Sequence, residues 1–80
     1  MKGGKLIALR LYKCKIQKIS DITGIETFDT IKKLDLSNNK ISDLKGIEQL
    51  TSLEKLYLSS NKISEIKNLD NLTNLQELHL

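Results

Sequence analysis

Residues 31–52 read IKKLDLSNNKISDLKGIEQLTS, and residues 53–74 read LEKLYLSSNKISEIKNLDNLTN. Each segment is 22 residues long, and the apolar residues of the two segments fall at the same positions. Self-similarity at a fixed period of roughly 20–50 residues is the signature of a repeat architecture, in which each unit buries its apolar face against its neighbours. The two segments therefore predict a stack of repeats.

Two kinds of spacing follow one another within each repeat. Residues 34–36 (LDL) and 56–58 (LYL) are apolar at every second position, which is the period of a strand with one buried face. Residues 41–50 are apolar at every third position, which fits 3₁₀ or short helical turns. We therefore predict short strands that pair in parallel along one side of the stack, with turns that face the same interior.

The start of the stack depends on the register of the first repeat. Leu9 and Leu11 fit the strand pattern, but placing them beside the strand at 34–36 requires a three-residue insertion. Counting back 22 residues from that strand reaches Tyr12 and Cys14 instead, and the alignment then needs no gap. This ungapped register predicts that Tyr12 and Cys14 are core residues and that Leu11 lies on the surface.

In the ungapped register the chain has an N-terminal cap segment at 1–8 and repeats at 9–30, 31–52 and 53–74. A partial repeat at 75–80 follows and breaks off inside a strand pattern. We therefore expect that the array continues beyond this fragment, or that another copy of the chain covers its open apolar end. The near identity of the second and third repeats also fits an engineered or recently duplicated array.

A polar residue recurs where the chain leaves each strand. Asn39 and Asn61 hold this position in the second and third repeats, and Gln17 holds it in the first. An amide both donates and accepts hydrogen bonds, so a buried one can satisfy the backbone groups of the turn. We predict a ladder of stacked Asn39 and Asn61, with a looser first repeat because Gln17 is longer.

The pattern L-x-x-L-x-L-x-x-N-x-I-x-x-I-x-x-L-x-x-L resembles that of the leucine-rich-repeat superfamily over nearly the whole chain. The 22-residue length is similar to the class found in the regulatory subunit of protein phosphatase 1 and in the spliceosomal A-prime protein. The resemblance implies an α/β solenoid: a right-handed superhelix with short parallel strands on its concave side and 3₁₀ or short helical turns on its convex side. The family shares a scaffold and not a partner.

The sequence favours a cytoplasmic location. Residues 1–8 (MKGGKLIA) lack the apolar stretch of about 7–15 residues that a secretory signal needs, and no segment approaches the ~20 apolar residues of a membrane span. The single cysteine cannot form an internal disulfide. Secreted internalins also use 22-residue repeats, but they typically carry Ser-Pro in the convex turn, and this chain has no proline.

No constellation of catalytic residues stands out. His79 is the only histidine, and no positioned acid or oxyanion donor would join it to Ser37 or Ser59. Cys14 fits a small core residue better than a nucleophile, and residues 3–5 (GGK) lack the spacing of a P-loop. We predict a non-catalytic protein with no cofactor and no metal.

The outward side of the strands varies between repeats and is the predicted partner-binding face. In the ungapped register, one column across the strands runs Lys13, Asp35, Tyr57, His79, and its neighbour runs Leu11, Lys33, Lys55, Glu77. Tyr57 is of the type that anchors interfaces; the alternative is that these are solvated residues whose charges pair across strands. The predicted binding residues are Arg10, Lys13, Lys33, Asp35, Lys55, Tyr57, Glu77 and His79.

The leading functional prediction is a module that binds another protein through this face. One alternative is a component of a ribonucleoprotein assembly, since residues 1–18 hold six basic residues and no acid, and a lysine column runs through Lys18, Lys40 and Lys62. The aromatics that stack on single strands are missing from the basic end, so nucleic acid is not favoured. The other alternative is a purely structural segment of a larger repeat protein.

Overall fold

The strands of all four repeats form one small sheet in the computed structural model, which describes residues 8–22, 24 and 30–80. The sheet is parallel, with its strands in chain order. The strands are β1 (Ala8–Arg10), β2 (Lys33–Asp35), β3 (Lys55–Tyr57) and β4 (Glu77–His79). Each strand is three residues long, and the apolar alternation continues one residue past it, to Leu36 after β2 and Leu58 after β3.

The segments between strands return the chain to the start of the next strand. Within the part of the chain that the structure describes, they contain 3₁₀ turns at Ile19–Asp21 and Ile47–Gln49. Short parallel strands followed by 3₁₀ turns agree with the prediction from the spacing. No helix among the described residues has the length and apolar character needed to cross a bilayer.

The core contains the apolar residues that recur at every second position in the strands and at every third position in the turns. Leu34 and Leu56, at the centres of β2 and β3, are fully buried, and so are Ile41 and Ile47 from the turns between them. The apolar residues of the strands and of the turns therefore pack into one contiguous core. Its buried members are Ile19, Ile31, Leu34, Leu36, Ile41, Leu44, Ile47, Leu50, Leu53, Leu56, Leu58 and Leu72.

The register of the first repeat differs from the ungapped prediction. Leu9 lies opposite Leu34, an offset of 25 residues, whereas Leu34 lies opposite Leu56, an offset of 22. Tyr12 is 43% exposed and Cys14 is exposed as well. The predictions that Tyr12 and Cys14 belong to the core were therefore wrong.

In place of Tyr12 and Cys14, Leu9 and Leu11 contribute to the core at the start of the first repeat. Both are partly buried and pack against the buried cluster, so the prediction that Leu11 lies on the surface was also wrong. The offset of 25 persists to Lys18, which pairs with Asp43. Because Lys33 pairs with Lys55 at an offset of 22, the three additional residues of the first repeat fall, by count, between Lys18 and Lys33.

The predictions for the two ends of the chain concern an N-terminal cap and an open apolar end after β4. The cap segment predicted at 1–8 lies outside the described residues, except that Ala8 is the first residue of β1. At the β4 end, the side chains of Ile66 and Leu80 are 48% and 60% exposed. That further repeats or a second copy of the chain cover these side chains stays a prediction. The repeat bounds 9–30, 31–52, 53–74 and 75–80 also stay predictions.

The exposure of Cys14 gives a direct test of the register. We predict that an aromatic disulfide reagent modifies Cys14 of the folded protein at a rate similar to that of the unfolded chain, because the thiol is accessible. Absorbance of the released thiolate measures the rate, with the urea-unfolded protein as the control. Protection of the thiol until the chain unfolds would restore the ungapped register.

Candidate functional site

The carboxamide of Asn39 joins the first repeat to the second. Its Oδ1 accepts the backbone N–H groups of Cys14 and Ile16, at 2.9 and 3.2 Å. Its Nδ2 donates to the carbonyl oxygens of Leu11 and Leu36, at 2.7 and 2.9 Å. Asn39 is buried, so its amide needs these bonds, and they satisfy backbone groups of both turns.

Asn61 repeats this arrangement between the second and third repeats. The backbone N–H of Ile41 donates to its Oδ1 at 3.0 Å. Its Nδ2 donates to the carbonyl oxygens of Leu36 and Leu58, both at 2.9 Å. The predicted ladder of Asn39 and Asn61 is therefore present, and the two amides hold consecutive strands in register.

Cys14, and not Gln17, occupies the ladder position of the first repeat. The residue before each ladder position has a left-handed backbone, with φ of 57° at Lys13, 59° at Asn38 and 59° at Ser60. The thiol of Cys14 donates to the carbonyl oxygen of Tyr12 at 3.5 Å. Asn39 donates to the equivalent carbonyl, that of Ser37, at 3.3 Å, so the thiol reproduces one bond of the amide.

Removal of the Asn39 carboxamide tests this role. We predict that Asn39→Ala lowers the free energy of unfolding by about 3 kcal/mol, because buried and partly buried backbone groups of two repeats lose their partners. Asn74→Ala is the matched control: Asn74 is exposed and its amide donates to the Thr51 carbonyl at 3.3 Å, so a change below about 0.5 kcal/mol is expected. Urea unfolding measures both, and equal losses would contradict the role of Asn39.

The exposed side of the sheet carries two rows of side chains, which we call the strand face. Paired residues in the sheet define the rows. Lys13 is not among them, because it lies in the turn after β1, so the column in which Lys13 preceded Asp35 was wrong. The rows are Ala8, Lys33, Lys55, Glu77 and Arg10, Asp35, Tyr57, His79.

An ion pair occupies the first half of the second row. Arg10 Nε lies 3.5 Å from Asp35 Oδ2, and the backbone N–H of Ser37 donates to Asp35 Oδ1 at 3.0 Å. Burial acts to raise the pKa of Asp35, but the hydrogen bonds from Ser37 and the positive charges of Arg10 and Lys33 together lower it below its ordinary value. Asp35 is therefore held as a carboxylate.

A stacked aromatic pair occupies the second half of that row. The rings of Tyr57 and His79 have centroids 4.7 Å apart and planes 24° apart. Lys33 Nζ lies 5.6 Å from the centroid of the Tyr57 ring, in cation–π contact. Two neighbouring strands and a cation thus fix the orientation of Tyr57 before any partner is present.

Glu77 connects the two rows on β4. Its Oε1 lies 3.2 Å from His79 Nε2, and its Oε2 lies 3.4 Å from Lys55 Nζ. The hydrogen bond from His79 and the charge of Lys55 lower the pKa of Glu77 below its ordinary value. The strand face therefore combines fixed charges of both signs with one aromatic pair.

Tyr12 is the exposed aromatic that the sequence reasoning missed. The Arg10 guanidinium carbon and Lys13 Nζ lie 5.1 and 5.4 Å from the centroid of its ring. The leucine alternation at Leu9 and Leu11 was the signal that could have placed Tyr12 outside the core. The basic end of the molecule therefore does carry an aromatic side chain.

Within residues 8–22, 24 and 30–80, no three His, Cys, Asp or Glu side chains come together as a set that could hold a metal ion. The groups assembled on the strand face suit recognition by charge, hydrogen bonding and ring stacking. Seven of the predicted residues lie on the strand face, and Lys13 does not. They are Arg10, Lys33, Asp35, Lys55, Tyr57, Glu77 and His79.

One three-residue strand for each repeat and a ladder formed by the buried Asn39 and the partly buried Asn61 define the chain as a repeat protein. The family profile described as Leucine Rich repeats (2 copies) matches residues 29–71 and again residues 51–80, which together make up more than half of the sequence. The chain belongs to the leucine-rich-repeat family. No curated protein sequence matches it. The narrower resemblance to the phosphatase regulatory subunit and the A-prime protein stays a prediction.

The lowered pKa of Asp35 predicts a pH dependence of stability. A carboxyl group whose pKa is lower in the folded state stabilises the fold above its ordinary pKa, and this stabilisation is lost as the pH falls through the folded value. We predict that Asp35→Asn flattens the decline in unfolding free energy below about pH 4. Asp70→Asn, at an exposed residue outside the strand face, is the control, and an equally flattened curve in that variant would contradict the assignment.

Proposed function

We propose that the chain binds another protein through its strand face, which forms the concave side of a right-handed superhelix. Leucine-rich repeats generally serve as protein–protein interaction modules, and a stack of them offers an extended surface. The observation that carries the proposal is the stacked pair of Tyr57 and His79 at the exposed side of the sheet.

The packing around Tyr57 favours an interface anchor. Tyrosine is enriched among residues that dominate binding energy, since it offers a large contact area with few rotatable bonds. The stack with His79 and the contact with Lys33 already order the ring, so little side-chain entropy remains to be lost when a partner binds. A partner that packs an apolar or aromatic group against Tyr57 would gain most of the available energy.

The charges beside Tyr57 favour a partner whose surface has both signs of charge. The ion pairs of Arg10 with Asp35 and of Lys55 with Glu77 lie at the surface, although Asp35 is partly buried, so each contributes little to stability. They fix charged groups at known places on the strand face, which gives specificity and faster association. We also propose a cytoplasmic location, in keeping with the single unpaired cysteine.

Capture of partners with paired variants tests the proposal. We predict that Tyr57→Ala combined with Lys33→Glu weakens the binding of a captured partner at least about 10-fold, because it removes the anchor and reverses a neighbouring charge. Tyr12→Ala combined with Lys45→Glu makes the same chemical changes at exposed residues outside the strand face. The purified chain serves as bait, and affinities are measured with each identified partner.

The outcome separates the functional alternatives. A partner that binds the wild type and the control variant but not the strand-face variant supports the proposal. A partner that binds all three equally contradicts a role for the strand face. If the wild-type chain captures no partner, a purely structural segment of a larger repeat protein becomes the better account.

A further inference from the structure

A second surface runs along the turns that leave the strands. Lys15, Lys40 and Lys62 follow the ladder positions of three successive repeats, and we call them the lysine column. The backbone N–H of Lys40 donates to the Ile16 carbonyl at 2.9 Å, and that of Lys62 donates to the Ile41 carbonyl at 2.8 Å. The corrected register thus replaces Lys18 by Lys15 as the first member of the column.

The positive charges of the lysine column are not neutralised by contacts. All three lysines are exposed, and across the part of the chain that the structure describes none of their ammonium groups forms an ion pair. Nearby acids hold other partners: Asp43 accepts the Lys45 backbone N–H at 2.9 Å, and Glu65 pairs with Lys67 at 3.3 Å. The column therefore presents free cationic donors.

Other hydrogen-bond donors lie beside the column. Lys40 and Lys62 line one open groove together with Gln17 and Ser42. Neighbouring repeats are about 4.8 Å apart at the sheet, so the column covers roughly 10 Å. Ammonium, hydroxyl and amide groups at this spacing suit a ligand with several anionic oxygens along an extended chain.

Two lysines of the first repeat also lie at positions where the backbone is strained. Lys13 and Lys15 have φ of 57° and 60°, in the left-handed region, which costs a residue with a Cβ about 1 kcal/mol. Asn38 and Ser60 are the equivalents of Lys13 in the next repeats, and asparagine adopts this conformation more readily. The first repeat therefore retains positive charge at some cost in stability.

We propose that the lysine column, extended by Lys13, binds an extended acidic segment of a protein. Side chains on one side of an extended peptide recur about every 6.7 Å, so two or three carboxylates can meet the three ammonium groups of the column. The surface lies on the turns, not on the strand face, so the inference does not rest on the proposed role of Tyr57.

A protein segment fits this surface better than single-stranded nucleic acid does. Proteins that bind single strands combine positive charge with aromatic rings on which bases stack. Beside the column the exposed ring is that of Tyr12, over which Arg10 and Lys13 already lie at 5.1 and 5.4 Å. A base could stack there only by displacing a cation, whereas a carboxylate binds the cations where they are.

Binding of a fluorescently labelled octaglutamate peptide to the whole chain tests the proposal, with anisotropy as the readout. We expect binding that weakens as salt rises from about 50 to about 300 mM. The variant Lys15→Gln, Lys40→Gln, Lys62→Gln should bind at least tenfold more weakly. The control Lys32→Gln, Lys33→Gln, Lys45→Gln removes the same charge elsewhere and should change the affinity less than threefold.

Three results would overturn the proposal: no binding of the peptide by the wild type, equal loss in both triple variants, or tighter binding of an octathymidine strand than of the peptide. Thermal unfolding of each variant verifies that it is folded. The variant with Tyr57→Ala and Lys33→Glu should keep its peptide affinity within threefold even if it loses its protein partner, so this proposal and the proposed function fail separately.

Discussion

The buried amide of Asn39 is the interaction on which the arrangement of the repeats depends. A three-residue strand makes few ladder hydrogen bonds, and the chain must then turn sharply inside an apolar stack. Asn39 supplies both donors and acceptors to the turns of two repeats, and Asn61 does the same one repeat later. Buried turn groups without such partners would each cost the fold an unmade hydrogen bond.

The asparagine ladder fixes which side chains meet on the exposed sheet. Because Asn39 bonds the turns after β1 and β2, Arg10 is brought beside Asp35 and not elsewhere. Asn61 likewise bonds the turn after β2, and β2 and β3 pair so that Tyr57 lies beside Asp35. The pairing of β3 with β4 then places His79 beside Tyr57. The arrangement of the strand face is therefore a consequence of the same bonds that join consecutive repeats.

Much of this architecture could be predicted from the sequence, and one part could not. The alternation at residues 34–36 and 56–58, the period of three after it, and Asn39 with Asn61 indicate the strands, the turns and the ladder directly. The stack of Tyr57 on His79 follows from the 22-residue spacing of the later repeats. These features are set by local spacing.

The first repeat was misjudged for a physical reason. Its sequence continues the apolar period of three by one more step before Ile31, so the apolar positions agree with either register. Leu9 and Leu11 marked the correct strand, and the leucine-rich-repeat pattern accepts cysteine as well as asparagine at the position that Cys14 holds. The contacts of Arg10 with Asp35 and the exposure of Tyr12 depend on that register and needed the structure.

Hydrogen exchange of single backbone amides tests the central claim most directly. The N–H groups of Cys14 and Ile16 donate to Asn39, and that of Ile41 donates to Asn61. Exchange followed by nuclear magnetic resonance should show all three protected to a degree similar to the amide of Leu36, which bonds to the Tyr57 carbonyl at 2.8 Å. Free exchange at Cys14 and Ile16, with Ile41 protected, would contradict a ladder that reaches the first repeat.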